Sequence, residues 1–287
     1  MLGAGTMGHG IAQVAAGAAY AVVMFDVSTE ALACGYQAIE RNLAKGIQLG
    51  KITDQDREET LQRIRSTSKL EEISDSDLVI EAAPEVLELK QQMLRESESL
   101  TKPECIFATN TSSLSITSIA SAARRAENVI GMHFFNPVHI MRLVEIVVGK
   151  QTSEETVATI QTVAKQIRKE PIVVKDVPGF ASSRLGVTLG LEAIRMLEEG
   201  VASARDIDTA MELGYNHPMG PLRLTDLVGL DVRLHIAEYL HAALGSERFR
   251  PPDMLRRMVS EGKLGKKTGE GFYEWNGQEQ AQRAYTK

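Results

Sequence analysis

Up to about Asp176, short apolar runs alternate with longer polar, amphipathic stretches. The runs are Ala21-Val22-Val23-Met24-Phe25, Leu78-Val79-Ile80, Ile106-Phe107-Ala108, Val129-Ile130-Gly131-Met132, Leu143-Val144-Glu145-Ile146-Val147-Val148 and Ile172-Val173-Val174. Each is too short for a helix and rich in β-branched residues, so each predicts a strand. Residues 30–50, 54–65, 85–100 and 153–168 lie between them and read as helices. Such alternation predicts βαβ units on a mainly parallel sheet with helices on both faces. After Val177-Pro178-Gly179 the strand signals stop. Residues 182–199 predict a helix, with Leu185, Leu189, Ile194 and Leu197 near helical spacing and Gly200 as its stop. Ser203 opens another as an N-cap, with Asp206 in its first turn. Residues 222–244 and 253–261 continue in helical style. The expected fold class is α/β: residues 1–177 form the sheet domain and residues 178–287 a smaller all-α domain. The polar tail, residues 276–287, is expected to fray.

Composition adds exclusions. A length of 287 residues agrees with two domains. With 43% hydrophobic and 24% charged residues, collagen, coiled coil and bulk disorder are ruled out. The net charge of −6 offers no basic footprint for nucleic acid. Cys34 and Cys105 form no CxxC and no disulfide framework, which fits a reducing cytoplasm. Residues 1–25 carry no charge, but they lack a basic start, are interrupted by Gly3, Gly5, Gly8, Gly10 and Gly17, and end at Asp26 without a cleavage signal. No later run reaches the ~20 apolar residues that a spanning helix needs. Neither a targeting segment nor membrane insertion is expected.

Gly3-Ala4-Gly5-Thr6-Met7-Gly8 matches G-x-G-x-x-G. A helix follows at once, with Met7, Ile11, Val14 and Ala18 on one face, and then a strand that ends in Asp26. The motif alone is weak, but in this context it predicts the phosphate loop of a Rossmann-type dinucleotide fold, with an acid placed for the adenosine ribose hydroxyls, over a glycine-rich turn that binds no ligand. Glycines let the backbone approach a pyrophosphate, and the helix N-terminus presents N–H groups and a positive dipole end. Asp26 would repel a 2′-phosphate, so NAD is expected over NADP. Only Met1 and Leu2 precede Gly3, whereas a strand usually has about five or six residues. The first strand, mid-sheet in this fold, is therefore expected to be largely missing, as in a truncated chain or one with a misassigned start. Its neighbours would be left about 10 Å apart with unpaired backbone groups, and folding or NAD binding would suffer.

Thr109-Asn110-Thr111-Ser112-Ser113-Leu114 follows a predicted strand, at the edge where ligands gather in α/β sheets. Further on, His133 precedes Phe134-Phe135-Asn136-Pro137, and Glu145 comes twelve residues after His133. A strand, a turn at Asn136-Pro137 and a returning strand would set the two side by side. Oxidising a C–OH needs a base for the hydroxyl proton. A neutral imidazole suits that task, with a carboxylate to fix its tautomer and stabilise the imidazolium. On spacing alone a structural His–Glu pair is the commoner reading.

The ordered set of Gly3 to Gly8, Asn110-Thr111-Ser112-Ser113-Leu114, His133-Phe134-Phe135-Asn136-Pro137, Pro178-Gly179-Phe180, Pro218-Met219-Gly220-Pro221 and Gly265-Lys266-Lys267-Thr268-Gly269-Glu270-Gly271-Phe272-Tyr273 resembles the L-3-hydroxyacyl-CoA dehydrogenase family in its single-function form. The resemblance spans nearly the whole chain. It implies NAD-dependent interconversion of L-3-hydroxyacyl-CoA and 3-oxoacyl-CoA, in fatty-acid β-oxidation, butanoate metabolism or aromatic-acid breakdown. His133 would be the general base, Glu145 its orienting partner, and Ser112 a hydrogen-bonding group for the substrate oxygen beside the nicotinamide. Glu85, Lys90, Asn136 and Lys267 fall where the family contacts NAD, although on spacing alone Glu85 and Lys90 read as a solvated helix face. Asn42 lies where the family touches the CoA portion, and Lys45 and Lys51 in that stretch read first as solvated lysines. Ser183 stands where the family commonly has an active-site asparagine. The resemblance also implies a homodimer through the helical domain.

His217, His235 and His241 lack metal-ligand spacing, so no metal is implied. Two rival readings stay open. One is a dehydrogenase of a free hydroxy acid or sugar acid, with Arg142 or Arg184 holding a carboxylate. The other is a non-catalytic NAD-binding dimer.

Overall fold

The computed structural model describes residues 1–275. The tail expected to fray, residues 276–287, lies outside the described residues. The chain divides into two units, Met1–Phe180 and Ala181–Lys287.

The first unit runs α1 (Gly8–Gly17), β1 (Val22–Phe25), α2 (Thr29–Gln48), α3 (Asp54–Gln62), β2 (Ile64–Thr67), β3 (Leu78–Glu81), α4 (Leu87–Leu100), β4 (Ile106–Thr109), α5 (Ile116–Ala120), β5 (Val129–Phe134), β6 (Leu143–Val148), α6 (Glu154–Gln166) and β7 (Glu170–Lys175). Side-chain oxygens start several helices: Ser28 accepts from Ala31 N, Ser153 from Thr156 N, and Thr53 closes a capping box with Asp56. Such caps satisfy first-turn N–H groups that have no intrahelical partner. Alternate residues of the sheet feed opposite faces. Phe107 and Val129 join one apolar cluster with Ile116 and Leu94, while Ile106, Ala108 and Ile130 join another with Ile11 and Ile160. Helices therefore cover both faces, as the strand-helix alternation predicts.

Strands β3, β4, β5, β6 and β7 lie side by side in that order, and β1 pairs with β2. All these pairings are parallel except that of β5 with β6. The strand at Ile64–Thr67 corrects the helical reading of residues 54–65. Its Ile64-Arg65-Ser66-Thr67 carries one large apolar residue, too little for the pattern to register, and pairs only with β1.

Residues 1–3 join the two parts of the sheet, with Leu2 bridging in parallel to both Phe25 and Glu81. Leu2 N donates to Ile80 O at 2.8 Å and Leu2 O accepts from Ala82 N at 2.8 Å. On the other side, Phe25 N donates to Met1 O at 2.9 Å and Gly3 N to Phe25 O at 2.8 Å. The unpaired gap expected between the neighbouring strands is thus closed at the end that carries the glycine loop.

The second unit is helical: α7 (Ser182–Glu198), α8 (Ala204–Gly214), α9 (Pro221–Val228), α10 (Leu230–Leu244) and α11 (Asp253–Ser260). Ser203 caps α8 by accepting from Asp206 N, as predicted. The stretch 222–244 is two helices, because Gly229 takes φ 102° between them. The core gathers Val187, Leu191, Ile194, Leu222, Leu230, Leu240 and Phe249. Asp226 of α9, 1% exposed, ties down the motif after α11 by accepting from Phe272 N, Tyr273 N and Trp275 Nε1.

Candidate active site

The glycine loop leaves the sheet between β1 and β3. Gly3 has φ 91°, and a Cβ there would stand 2.9 Å from Ala82 O. A Cβ on Gly8 would stand 1.9 Å from Gly3 O, so the first turn of α1 packs onto the loop only without side chains. A Cβ on Gly5 would meet nothing within 4 Å. Among the described residues no side chain caps α1, whose N-cap is Met7, and no acid sits in its first turn. First-turn N–H groups without intrahelical acceptors, an open approach at Gly5 and Thr6, and a positive dipole end suit a pyrophosphate. Asp26, just past β1, accepts from Ala4 N at 2.9 Å and from Ser28 N at 3.0 Å, which fixes its carboxylate beside this loop. These residues fit NAD.

Strand β4 leads into the 110–114 loop, which Glu85 organises. Glu85 Oε1 accepts from Thr111 Oγ1 at 2.6 Å, Ser112 N at 2.9 Å and Ser113 N at 3.0 Å. It also lies 3.0 Å from Ser113 Oγ and 3.4 Å from Ser112 Oγ. Burial pushes the Glu85 carboxyl up, but the Thr111 hydroxyl, the Lys90 ammonium and the donors of Ser112 and Ser113 outweigh it, holding the group below the usual carboxylate range. Lys90 corrects the solvated-face reading. It is 1% exposed, and its Nζ donates to Glu81 Oε1 at 2.7 Å and lies 3.4 Å from Glu85 Oε2. Asp176 anchors the far side of the loop by accepting from Ser115 Oγ, Ile116 N and Thr117 N at the start of α5.

His133 and Glu145 are cross-strand partners in the antiparallel β5–β6 register. His133 Nδ1 lies 2.8 Å from Glu145 Oε2, and Glu145 is fully buried. With Nδ1 turned to the carboxylate, Nε2 is the ring nitrogen left to face a ligand. Phe135 and Phe180 pack the ring at centroid distances of 4.7 and 5.9 Å. Asn110 Oδ1 accepts from Phe134 N at 2.9 Å, fastening the Ser112 loop to the strand of His133. The first unit thereby joins His133 to Glu145, joins Ser112 and Lys90 to Glu85, and links the two groups through Asn110.

The other predicted residues lie on other elements. Asn136 is exposed in the turn after β5. Asn42 of α2 donates to Gln13 Oε1 at 3.1 Å. Ser183 occupies the first turn of α7, and Lys267 Nζ pairs with Asp231 at 2.6 Å, both in the second unit. Arg142, one of the two carboxylate anchors of the free-acid reading, is paired with Glu170, and the other, Arg184, lies in the first turn of α7. Sequence reasoning gave no role to Asn110 or Glu81. Asn110 lay inside a quoted motif, and Glu81 showed only as a charge closing an apolar strand.

Residues 1–177 match the NAD-binding domain of 3-hydroxyacyl-CoA dehydrogenase, and residues 179–275 match the C-terminal domain of the same family. The chain belongs to the 3-hydroxyacyl-CoA dehydrogenase family. It is 46% identical over 275 residues to a probable 3-hydroxybutyryl-CoA dehydrogenase of Deinococcus radiodurans, covering 96% of this chain and 99% of that one. It is 42% identical to a 3-hydroxybutyryl-CoA dehydrogenase of Clostridioides difficile, covering 96% and 98%. The crystal structure of (S)-3-hydroxybutyryl-CoA dehydrogenase from Ralstonia eutropha superposes with a TM-score of 0.93 at 42% identity, covering 96% and 97%. The chain is thus an NAD-dependent 3-hydroxyacyl-CoA dehydrogenase of the single-function type.

Proposed function

We propose that this enzyme oxidises short-chain L-3-hydroxyacyl-CoA, 3-hydroxybutyryl-CoA above all, and that His133 Nε2 takes the hydroxyl proton. The observation that carries this reading is the 2.8 Å His133–Glu145 contact in cross-strand register, which leaves Nε2 as the ring nitrogen to face a ligand. Glu145 holds the tautomer and stabilises the imidazolium as it forms. Ser112 Oγ hydrogen-bonds the substrate oxygen. NAD, when bound, supplies the hydride acceptor. Gly3, Gly5, Thr6, Met7 and Gly8 hold its pyrophosphate and Asp26 its ribose hydroxyls. Glu85, Lys90, Asn136 and Lys267 serve the cofactor, and Asn42 and Ser183 the acyl-CoA, on the family resemblance.

A homodimer through the helical unit is part of this reading. Leu185 (73% exposed) and Leu213 (81%) support it, as apolar side chains on α7 and α8 that a single chain leaves in water. Among the described residues no helix is long and apolar enough to cross a membrane. The cytoplasmic placement draws support from two free cysteines, Cys34 and Cys105.

The test is NADH oxidation with acetoacetyl-CoA and, in parallel, free acetoacetate. Turnover of the thioester alone is expected. Turnover of the free acid at a comparable rate would overturn the acyl-CoA assignment.

A further inference from the structure

Glu81 closes β3 at the carboxyl edge of the sheet, where ligands of open α/β sheets bind. Its carboxylate is fully buried, a costly state unless every lone pair is matched. Here three donors meet it, two on one oxygen and one on the other. Oε1 accepts from Lys90 Nζ at 2.7 Å and from Ala83 N, and Oε2 accepts from Thr109 Oγ1 at 2.7 Å. Lys90 is sealed with it, and its Nζ reaches Ala83 O at 3.2 Å and Glu85 Oε2 at 3.4 Å. One ammonium therefore stands between two carboxylates of opposite duty. Glu81 faces inward and fastens β3 to the end of β4. Glu85 faces the 110–114 loop and spends its other oxygen on the donors of Thr111, Ser112 and Ser113.

A buried ion pair is seldom needed for stability, since an apolar pair of similar volume serves as well. It does specify geometry. Lys90 cannot move toward Glu85 without abandoning Glu81, so Glu81 sets how far Glu85, and the loop it gathers, can shift. The same carboxylate grips Thr109, next to the Asn110 that bonds Phe134 N beside His133.

We propose that Glu81 is a positioning residue for the dehydrogenase reaction, holding Lys90 and Thr109 so that Glu85 presents Ser112 at a fixed distance from His133. This rests on the proposed roles of Ser112 and His133. In Glu81→Gln, Lys90 loses its inner counter-charge and draws Glu85 Oε2 inward, tilting the loop.

The test is a double-mutant cycle of Glu81→Gln with Ser112→Ala, combined with amide hydrogen exchange. In the wild-type background Glu81→Gln should lower kcat for acetoacetyl-CoA by about 10–100-fold, with KM for NADH within about threefold, as small misplacements near the chemistry do. In the Ser112→Ala background the same change should cost less than about threefold, because the group it positions is gone. Exchange at Ser112 N and Ser113 N should quicken by about tenfold, while β4 and β5 stay protected. Equal fold losses in both backgrounds, or faster exchange throughout the sheet, would overturn the proposal. Should Glu81→Gln fail to fold, Thr109→Val removes the hydroxyl that Glu81 Oε2 holds, at similar volume, and is read the same way. The exchange arm needs no turnover. An inactive wild type would therefore sink the functional reading while this measurement still decides on Glu81.

Discussion

A histidine whose Nδ1 is committed to a buried carboxylate offers a ligand only Nε2. That is the state of His133, and it makes the consequences of substitution specific. His133→Ala should lower kcat by about 10²–10⁴-fold, the usual worth of a positioned base, while NADH affinity measured by fluorescence titration stays within about threefold. A matching loss of NADH binding would assign His133 a cofactor role instead. Ser183→Asn tests the departure from the family pattern. Asn restores a longer side chain that both donates and accepts, so kcat with acetoacetyl-CoA should hold or rise. A fall beyond about tenfold would give Ser183 its own role. Glu85 supplies a pH dependence. Its folded-state pKa is depressed, so the order it lends the loop is present above the usual carboxylate pKa and is lost as pH falls through the depressed one. Protection of Ser112 N and Ser113 N against exchange should therefore persist at pH 5 and fail only in stronger acid. Loss of protection between pH 6 and 5 would contradict the assignment.

At the scale of elements, legibility followed local chemistry. Strands β3 to β6 were readable because each is a run of β-branched and apolar residues buried on both faces. The pairing of His133 with Glu145 was readable because two strands and a turn leave few registers for residues twelve apart. Strand β2 was not, having one large apolar residue, and the burial of Lys90 was not, because its partner Glu81 lies nine residues back on a strand. Spacing on one helix cannot report a contact between elements. Arg233 shows the same limit. Its position in α10 suggests a surface charge, yet it is 5% exposed against Gly186 and Gly190 of α7. Among the described residues its Nε has no hydrogen-bond partner, and burial brings the guanidinium pKa down to about 10. An uncompensated buried charge costs more than an apolar side chain of similar size. Arg233→Met should accordingly raise Tm by about 2–4 °C by differential scanning calorimetry, and a drop of that size would mean the guanidinium has a favourable partner. Asp226→Asn should act oppositely. Its amide would face one of three N–H donors with a second donor, costing about 1–3 kcal/mol and lowering Tm.

At the scale of the whole sheet, everything from β2 to β7 is joined through residues 1–3, whose backbone bonds both β1 and β3. The side chain at the centre of that joint is Leu2, fully buried in one cluster with Phe25, Val79 and Phe107. Truncating it removes apolar contacts to both parts of the sheet at once and leaves a cavity that neither part can close alone. Leu2→Ala should therefore cost about 2–5 kcal/mol in denaturant unfolding, with a single transition. A loss below about 1 kcal/mol would mean that the two parts of the sheet hold together without this joint, and two separate transitions would mean that they unfold as independent units.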